Sequence, residues 1–307
     1  MTQSKLESKL ESMITEIFSS IQECATSVQE LLQCDDSGYL ASTNASGDTQ
    51  LAVDVRADML LEQALLKLPC VKGVCSEEKS SALYKQGANI VESTSLHALE
   101  SGLLVAYDPL DGSSLFDSNL SVGSIFGIYD SVFSASALVA AAYIVYGPRL
   151  EVVLAYKEAK HYAYHYACNE KQWRSKGALQ LESRGKLNAP GGTQKNWEVR
   201  HKELVESLFA KGYRLRYSGG MVPDLHQILC KRGGLFSYPA TSDAPSGKLR
   251  KLFEVFPFAF IYERAGGDAI DGQRQLLSLP CDSLHESTPC FLGSKEEIAQ
   301  VRTTYMK

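Results

Sequence analysis

Between Val122 and Cys168 the chain carries four apolar or aromatic runs: Val122–Tyr129, Ala140–Tyr146, Leu150–Tyr156 and His161–Cys168. Turn residues, not helical segments, separate them. The pattern predicts an antiparallel or mixed sheet in place of strict βαβ alternation. Upstream, Leu6, Leu10, Met13, Ile17, Ile21, Cys24 and Val28 recur every three or four residues. They form one stripe of a long amphipathic helix ending near Leu32. Asp35–Gly38 and Thr43–Gly47 read as turns around a short strand. A second helix is predicted from Asp54 through Leu68, with Met59, Leu60 and Ala64 inward.

Two further strand-like runs, Gly73–Ser76 and Leu103–Tyr107, lead straight into carboxylates. After them the composition shifts to Asn, Pro, Gly and Thr over Leu187–Trp197, which reads as a loop and the best boundary. That divides the chain into residues 1–186 and 187–307. The second part alternates helices (Val199–Lys211, Pro223–Lys231, Lys248–Phe253) with strands (Leu235–Tyr238, Phe258–Glu263).

A chain of 307 residues that is 44% hydrophobic can bury a large core. Its net charge of −5 and lack of Lys/Arg runs exclude a basic nucleic-acid footprint. No apolar run reaches the roughly 18 residues of a membrane span. Residues 1–20 lack an apolar signal core and contain Glu7, Glu11 and Glu16, so a cytoplasmic protein is expected. The eight cysteines form no CxxC pair, and Cys70 and Cys75 have no matching pair for a tetrahedral zinc site. Reduced, mostly buried thiols are expected.

The chemistry concentrates in Asp108-Pro109-Leu110-Asp111-Gly112-Ser113-Ser114. Two carboxylates three residues apart stand at a strand's mouth, Pro109 stiffens the turn, and Gly112 permits a positive φ. Ser113 and Ser114 supply hydroxyls and N–H groups suited to phosphate. Hard oxygen ligands beside a phosphate cradle suit Mg²⁺, which takes few carboxylates plus substrate oxygens. The weaker reading of the segment taken alone is a surface Asx-turn followed by a helix cap. Ser76-Glu77-Glu78 ends another apolar strand in acids, whose adjacent side chains would point to opposite faces. Asp48 and Asp54 add carboxylates upstream.

Asp108–Ser114 with Ser76-Glu77-Glu78 resembles the lithium-sensitive, Mg²⁺-dependent sugar phosphatases. Ser121–Tyr129, Arg216–Met221, Lys248-Leu249-Arg250 with Glu254, Glu263–Gly267 and Leu292–Lys295 narrow the resemblance. They are similar to the fructose-1,6-bisphosphatase and sedoheptulose-1,7-bisphosphatase family, in order from Gly47 to Lys295. The resemblance implies a mixed α/β chain in a layered α-β-α-β-α fold. Tyr146–Arg149, Asp117–Asn119 and Gly219–Asp224 are similar to the sedoheptulose branch, and Phe236–Pro239 and Pro245–Lys248 to the fructose branch. The first set flanks the acidic strands, so hydrolysis of sedoheptulose 1,7-bisphosphate to sedoheptulose 7-phosphate is the expectation. Fructose 1,6-bisphosphate or dual specificity is the alternative, and an inactive bisphosphatase-like binding protein a remote one. An inositol-monophosphatase-like enzyme is disfavoured, because Lys248-Leu249-Arg250 and Glu254 stand where that group has a Trp-Asp pair.

The resemblance also implies roles. Glu77, Asp108, Asp111 and Glu254, with the Leu110 carbonyl and Asp48, would hold two or three Mg²⁺, with Mn²⁺ as a substitute. Asp54 and Glu78 would accept the proton of the attacking water. Gly112, Ser113, Ser114 and Arg250 would hold the C1 phosphate, and Asn188, Tyr217, Tyr238 and Lys248 the distal one. Arg216 would reach in from a neighbouring subunit, implying a homodimer or homotetramer.

One departure has a consequence for regulation. AMP-regulated members place Lys-Tyr before the acidic loop and Arg after the Phe-Gly-Ile-Tyr strand, where this chain has Gly102-Leu103 and Asp130. An AMP phosphate there would lose its cations and meet a carboxylate. Phosphate release is therefore expected to be unaffected by AMP, and full inhibition by micromolar AMP would contradict the reading.

Overall fold

The computed structural model describes residues 3–34, 39–43, 49–92, 96, 98–157 and 163–306. Helix α1 (Gln3–Cys34) buries Ile14, Ile17, Phe18, Ile21, Cys24, Ala25 and Val28, a stripe wide enough to cover a sheet. A two-stranded pair, β1 (Tyr39–Thr43) and β2 (Thr49–Leu51), leads into α2 (Ala52–Lys67). The inward face of α2 is Val53, Ala57, Leu61 and Leu65, at steps of four, together with Asp54 and Asp58. Met59 and Leu60, expected inside, are 52% and 38% exposed. Met59 lies on the opposite side of the helix from that row and Leu60 at its edge.

The chain then builds its large sheet from β3 (Val71–Ser76) and the short β4 (Leu83–Tyr84). A small hairpin, β5 (Ile90–Glu92) with β6 (Ala98–Leu99), precedes β7 (Leu103–Asp111). The predicted run of strands follows as β8 (Val122–Asp130), β9 (Leu138–Tyr146), β10 (Leu150–Tyr156) and β11 (Ala163–Asn169). One more strand closes the edge, β12 (Gln172–Leu179). Its residues are mostly exposed, so no apolar run marks it in the sequence. The order is β12-β11-β10-β9-β8-β7-β3-β4, antiparallel throughout except for the parallel pair β3/β7. The sheet is mixed, as expected.

Leu187–Trp197, read as a loop, begins instead with a strand of a second sheet, β13 (Leu187–Pro190). β13 pairs in parallel with β14 (Arg214–Leu215) and β15 (Gly234–Tyr238), which places it inside a sheet of order β14-β13-β15-β17-β16. β16 (Asp268–Ile270) and β17 (Cys290–Gly293) complete that sheet. The helices of this half are α3 (Val199–Ala210), α4 (Met221–Cys230), α5 (Phe256–Arg264) and α6 (Lys295–Tyr305). Phe258–Glu263, predicted as a strand, lies within α5. Pro257 stands in its first turn, where the missing N–H costs nothing. Lys248–Phe253 is not an ordinary helix either: only Lys251–Val255 turns, in a wide π-type turn closed by Val255 N–H to the Arg250 carbonyl at 3.0 Å.

Alternation along the large sheet divides the core. Leu103, Val105 and Tyr107 face α1 and α2, while Leu104 and Ala106 face α4 and α5. The other side of α4 and α5 meets Leu187, Ala189, Phe236 and Leu292 of the second sheet, and α3 and α6 cover its outer face through Leu204, Leu208, Ile298 and Val301. The layers therefore run α-β-α-β-α, as the resemblance implied. Tyr129 and Tyr262, both fully buried, donate hydroxyls to the carbonyls of Leu252 and Leu225, pinning the middle helices to the sheet and to each other.

α4 lies so close to β8 that a Cβ at Gly123 would sit 2.4 Å from Val222 Cγ1 and 2.5 Å from the Ile144 carbonyl. Gly123→Ala should push α4 outward and cost about 1–3 kcal/mol of stability, as overpacking does. Urea unfolding checks this, and an unchanged midpoint would contradict the packing.

Candidate active site

Six segments meet at one cleft of about 280 Å³. From the large sheet come the carboxyl ends of β3 and β7, from α2 its first turn, and from the C-terminal half the start of α4, the end of β15 and the Lys248–Glu254 segment. β7 continues through Asp111 rather than stopping at Tyr107, with an irregularity in its pairing to β8 between Asp108 and Asp111. Pro109 has no N–H to give the ladder, and its carbonyl accepts the buried Ser124 hydroxyl at 2.7 Å. The kink lets Asp108 and Asp111 both reach the cleft. Gly112 then turns the chain at φ 75°, where a Cβ would stand 3.2 Å from Gly220 Cα.

Four acids converge from three places in the sequence. Donor oxygens of Asp108, Asp111 and Glu254 all lie within 4.8 Å of one another, and all three residues are buried. Glu77 joins them through Arg250, whose Nη1 is 2.7 Å from Glu77 Oε1 and 3.8 Å from Glu254 Oε2. The Arg250 backbone N–H also donates to Glu254 Oε2 at 2.6 Å, so the π-type turn aims its own carboxylate. Asp111 accepts from the Met221 and Val222 N–H groups at 3.1 and 2.7 Å, the first donors of α4. Asp224, buried in α4's first turn, holds the preceding bend by accepting the Ser218 N–H at 2.8 Å.

Burial dominates the electrostatics. It pushes Asp108 well above the usual carboxylate range, reinforced by Glu77, Asp111 and Glu254. It raises Asp111 to about 7 against the lowering effect of the Val222 and Met221 N–H groups. It raises Glu254 to about 8, helped by Glu77 and opposed by Arg250. One guanidinium cannot balance so many carboxylates. A buried set of hard oxygen donors with an excess of negative charge fits divalent cations.

Most of the expected site residues line this cleft: Asp54, Glu77, Glu78, Asp108, Leu110, Asp111, Gly112, Ser113, Ser114, Tyr217, Tyr238, Lys248, Arg250 and Glu254. Glu77 and Glu78 lie in the turn beyond β3, not on the strand, so both reach the cleft instead of opposite faces. Arg250 was expected on phosphate; here it bridges Glu77 and Glu254. Two expected residues do not line the cleft. Asn188 is fully buried in β13, with neither side-chain amide atom hydrogen-bonded, and Arg216 is exposed in a separate basic recess. Asp48 lies outside the described residues.

Sequence reasoning missed the α4 N–H pair on Asp111, although Gly219-Gly220 ahead of an apolar run marks a helix entry. It missed Gly191, where a Cβ would meet Tyr238 at 2.5 Å and Tyr217 at 3.3 Å, so its absence lets both rings close over the backbone. It missed Asp58, which is buried one turn after Asp54, accepts the Tyr107 hydroxyl at 2.8 Å and pairs with Lys79 at 3.1 Å. All eight cysteines are free thiols, with only Cys24, Cys75 and Cys290 buried, fewer than expected.

An acid cluster facing a cationic and tyrosine-lined wall across one cleft defines a phosphoric monoester hydrolase acting on sugar bisphosphates. The comparisons agree. The family model for the fructose-1-6-bisphosphatase N-terminal domain matches residues 1–174, and that for its C-terminal domain matches residues 181–306. A Helicobacter hepaticus protein named fructose-1,6-bisphosphatase class 1 is 57% identical, over 95% of this chain and 100% of its own length. A Campylobacter concisus protein of the same name is 46% identical, over 95% and 98%. Among solved structures, Leishmania major fructose-1,6-bisphosphatase in holo form superposes with a TM-score of 0.86 at 27% identity, covering 100% of this chain and 98% of that one. A Toxoplasma gondii protein provisionally described as a sedoheptulose-1,7 bisphosphatase gives 0.84 at 30% identity, over 95% and 94%. The chain belongs to the fructose-1,6-bisphosphatase family. No helix among the described residues is long and apolar enough to cross a membrane.

The raised carboxylates have a measurable consequence. Each has a folded pKa above its unfolded value, so its contribution to stability is complete below about pH 4 and is lost as pH rises through about 7 to 8. In chelator the unfolding midpoint should fall over that range, and excess Mg²⁺ should flatten the profile. Identical profiles with and without Mg²⁺ would contradict the account.

Proposed function

We propose that this chain hydrolyses the C1 phosphate of fructose 1,6-bisphosphate. The convergence of Asp108, Asp111 and Glu254 opposite Lys248, Tyr217 and Tyr238 carries the bisphosphatase reading. The choice of fructose over sedoheptulose is a correction to the expectation from short motifs. It rests on the curated relatives, named as class 1 fructose-1,6-bisphosphatases at up to 57% identity over nearly the whole chain. The motifs behind the sedoheptulose expectation, such as Gly219–Asp224, build the α4 entry that holds Asp111. Gly219–Met221 shapes the acid-lined end of the cleft, and Asn119 and Tyr146–Pro148 line a separate recess, so these motifs say little about sugar length.

Mg²⁺, with Mn²⁺ as a substitute, would neutralise Glu77, Asp108, Asp111 and Glu254 and supply Lewis-acid activation of the water and the phosphate oxygens. With those acids so compensated, the Arg250 guanidinium would hold the C1 phosphate through its fork. The Gly112, Ser113 and Ser114 N–H and hydroxyl groups orient that phosphate. Asp54 and Glu78 stand on the same cleft wall as bases for the proton of the attacking water. Lys248 at the exposed rim, with Tyr217 and Tyr238, takes the distal phosphate. Arg216, outside its own cleft, would complete a neighbour's site in a homo-oligomer.

Parallel kcat/KM values test the substrate. Fructose 1,6-bisphosphate should exceed sedoheptulose 1,7-bisphosphate tenfold or more, and the reverse ratio would restore the other branch. The two differ by one carbinol unit, so the gap is worth only a few kcal/mol. Asp111→Asn should lower turnover by orders of magnitude with the fold retained. Near-normal turnover would sink the role given to the acid cluster.

A further inference from the structure

A second constellation of metal-binding side chains lies along α4, away from the cleft. Glu151 on β10 is 3% exposed, and His165 on the neighbouring strand β11 is 6% exposed. His226 on α4 comes down onto both. The Nε2 atoms of His165 and His226 are each 3.0 Å from Glu151 Oε2, and the three donors lie within 4.8 Å of one another. Cys230 follows His226 by four residues, on the same face of the helix, with its Sγ 3.4 Å from His226 Nε2. Its side chain is exposed, which leaves a path to solvent.

We propose that Glu151, His165, His226 and Cys230 form a tetrahedral zinc site. The donor set is the first argument. Imidazole, carboxylate and thiolate suit zinc and discriminate against Mg²⁺, whereas the cleft offers oxygen alone. Spacing is the second. Zinc bonds of about 2.0–2.3 Å put tetrahedral ligands about 3.3–3.6 Å apart, near the 3.0 Å contacts of both imidazoles with Glu151 and the 3.4 Å contact of Cys230 with His226. Glu151, His165 and His226 already stand together, and Cys230, outside that group of three, completes the tetrahedron by turning its exposed side chain inward. The surroundings are the third. Tyr143 places its hydroxyl 2.9 Å from His226 Nδ1, the outer partner that a zinc-bound imidazole requires. Arg149 Nε sits 2.8 Å from Glu151 Oε1, with Lys176 Nζ 3.9 Å from the same oxygen, and Oε2 is left for the metal. On binding, each imidazole carries its proton on Nδ1 instead of Nε2, and the Cys230 proton leaves to solvent. The site would fasten α4 to β10 and β11, while the helix's first N–H groups hold Asp111.

Cobalt reads this site separately from the cleft. Co²⁺ is titrated into the chelator-treated full chain in the presence of excess Mg²⁺, followed by absorbance. The expected result is one equivalent with intense tetrahedral d–d bands and a near-ultraviolet thiolate-to-cobalt charge-transfer band, displaced by Zn²⁺. Cys230→Ser should abolish the charge-transfer band, His165→Gln should abolish the tight equivalent, and Asp111→Asn should keep both. Should His165→Gln fail to fold, Cys230→Ser still decides, since it alters an exposed side chain. A wild-type spectrum without the thiolate band, or a band that survives Cys230→Ser, overturns the proposal and leaves the cluster a hydrogen-bonded anchor for α4.

Discussion

Burying several carboxylates around one point is the constraint that the rest of this structure serves. Asp108, Asp111, Glu77 and Glu254 come from β7, the turn after β3 and the π-type turn before α5, and each is largely withdrawn from water. Charges held so close in a low dielectric repel strongly; with burial the larger cause, Asp108 rises well above the carboxylate range, Asp111 to about 7 and Glu254 to about 8. Arg250 and the α4 N–H pair relieve part of that strain. What remains is a standing demand for cations beside the Gly112–Ser114 turn, which lines the same cleft.

The layered fold makes the demand affordable. A mixed sheet packed on both faces fixes the ends of β3 and β7 side by side, and the parallel pairing of those two strands brings both acidic ends to the same edge. α4 and α5 sit between the two sheets and touch both, so the acid-lined and the tyrosine-lined ends of the cleft belong to one packed body. α4 is the pivotal element. Its first turn holds Asp111 and sets the Val222 side chain on Gly123, and its later residue His226 engages Glu151 and His165.

Much of this was legible in the sequence, for identifiable reasons. β8 to β10 show as apolar runs because both faces of each strand are buried, and Asp108–Ser114 stands out because carboxylate, proline and glycine fall together at a strand's mouth. Residues whose role depends on distant partners were not legible from pattern. Glu254 entered only through family resemblance, since nothing local marks a carboxylate in a wide turn as a neighbour of Asp108. Asn188 misled because Asn, Pro and Gly suggest a loop, while parallel pairing on two sides makes Leu187–Pro190 a buried strand. Phe258–Glu263 misled because a short aromatic run suits strand and helix alike, and the turn at Arg250–Val255 commits it to α5. The Glu151, His165 and His226 group was invisible in one dimension, because three separate elements supply it.

The central claim is that the buried acids are a cation site facing the phosphate loop. Anomalous scattering from crystals grown with Mn²⁺ and an unreactive bisphosphate analogue tests it most directly. The account predicts Mn²⁺ peaks within bonding distance of Asp108, Asp111 and Glu254, with Arg250 withdrawn from Glu77 and turned to the phosphate. Peaks confined to other places, with Arg250 still bridging Glu77 and Glu254, would contradict it.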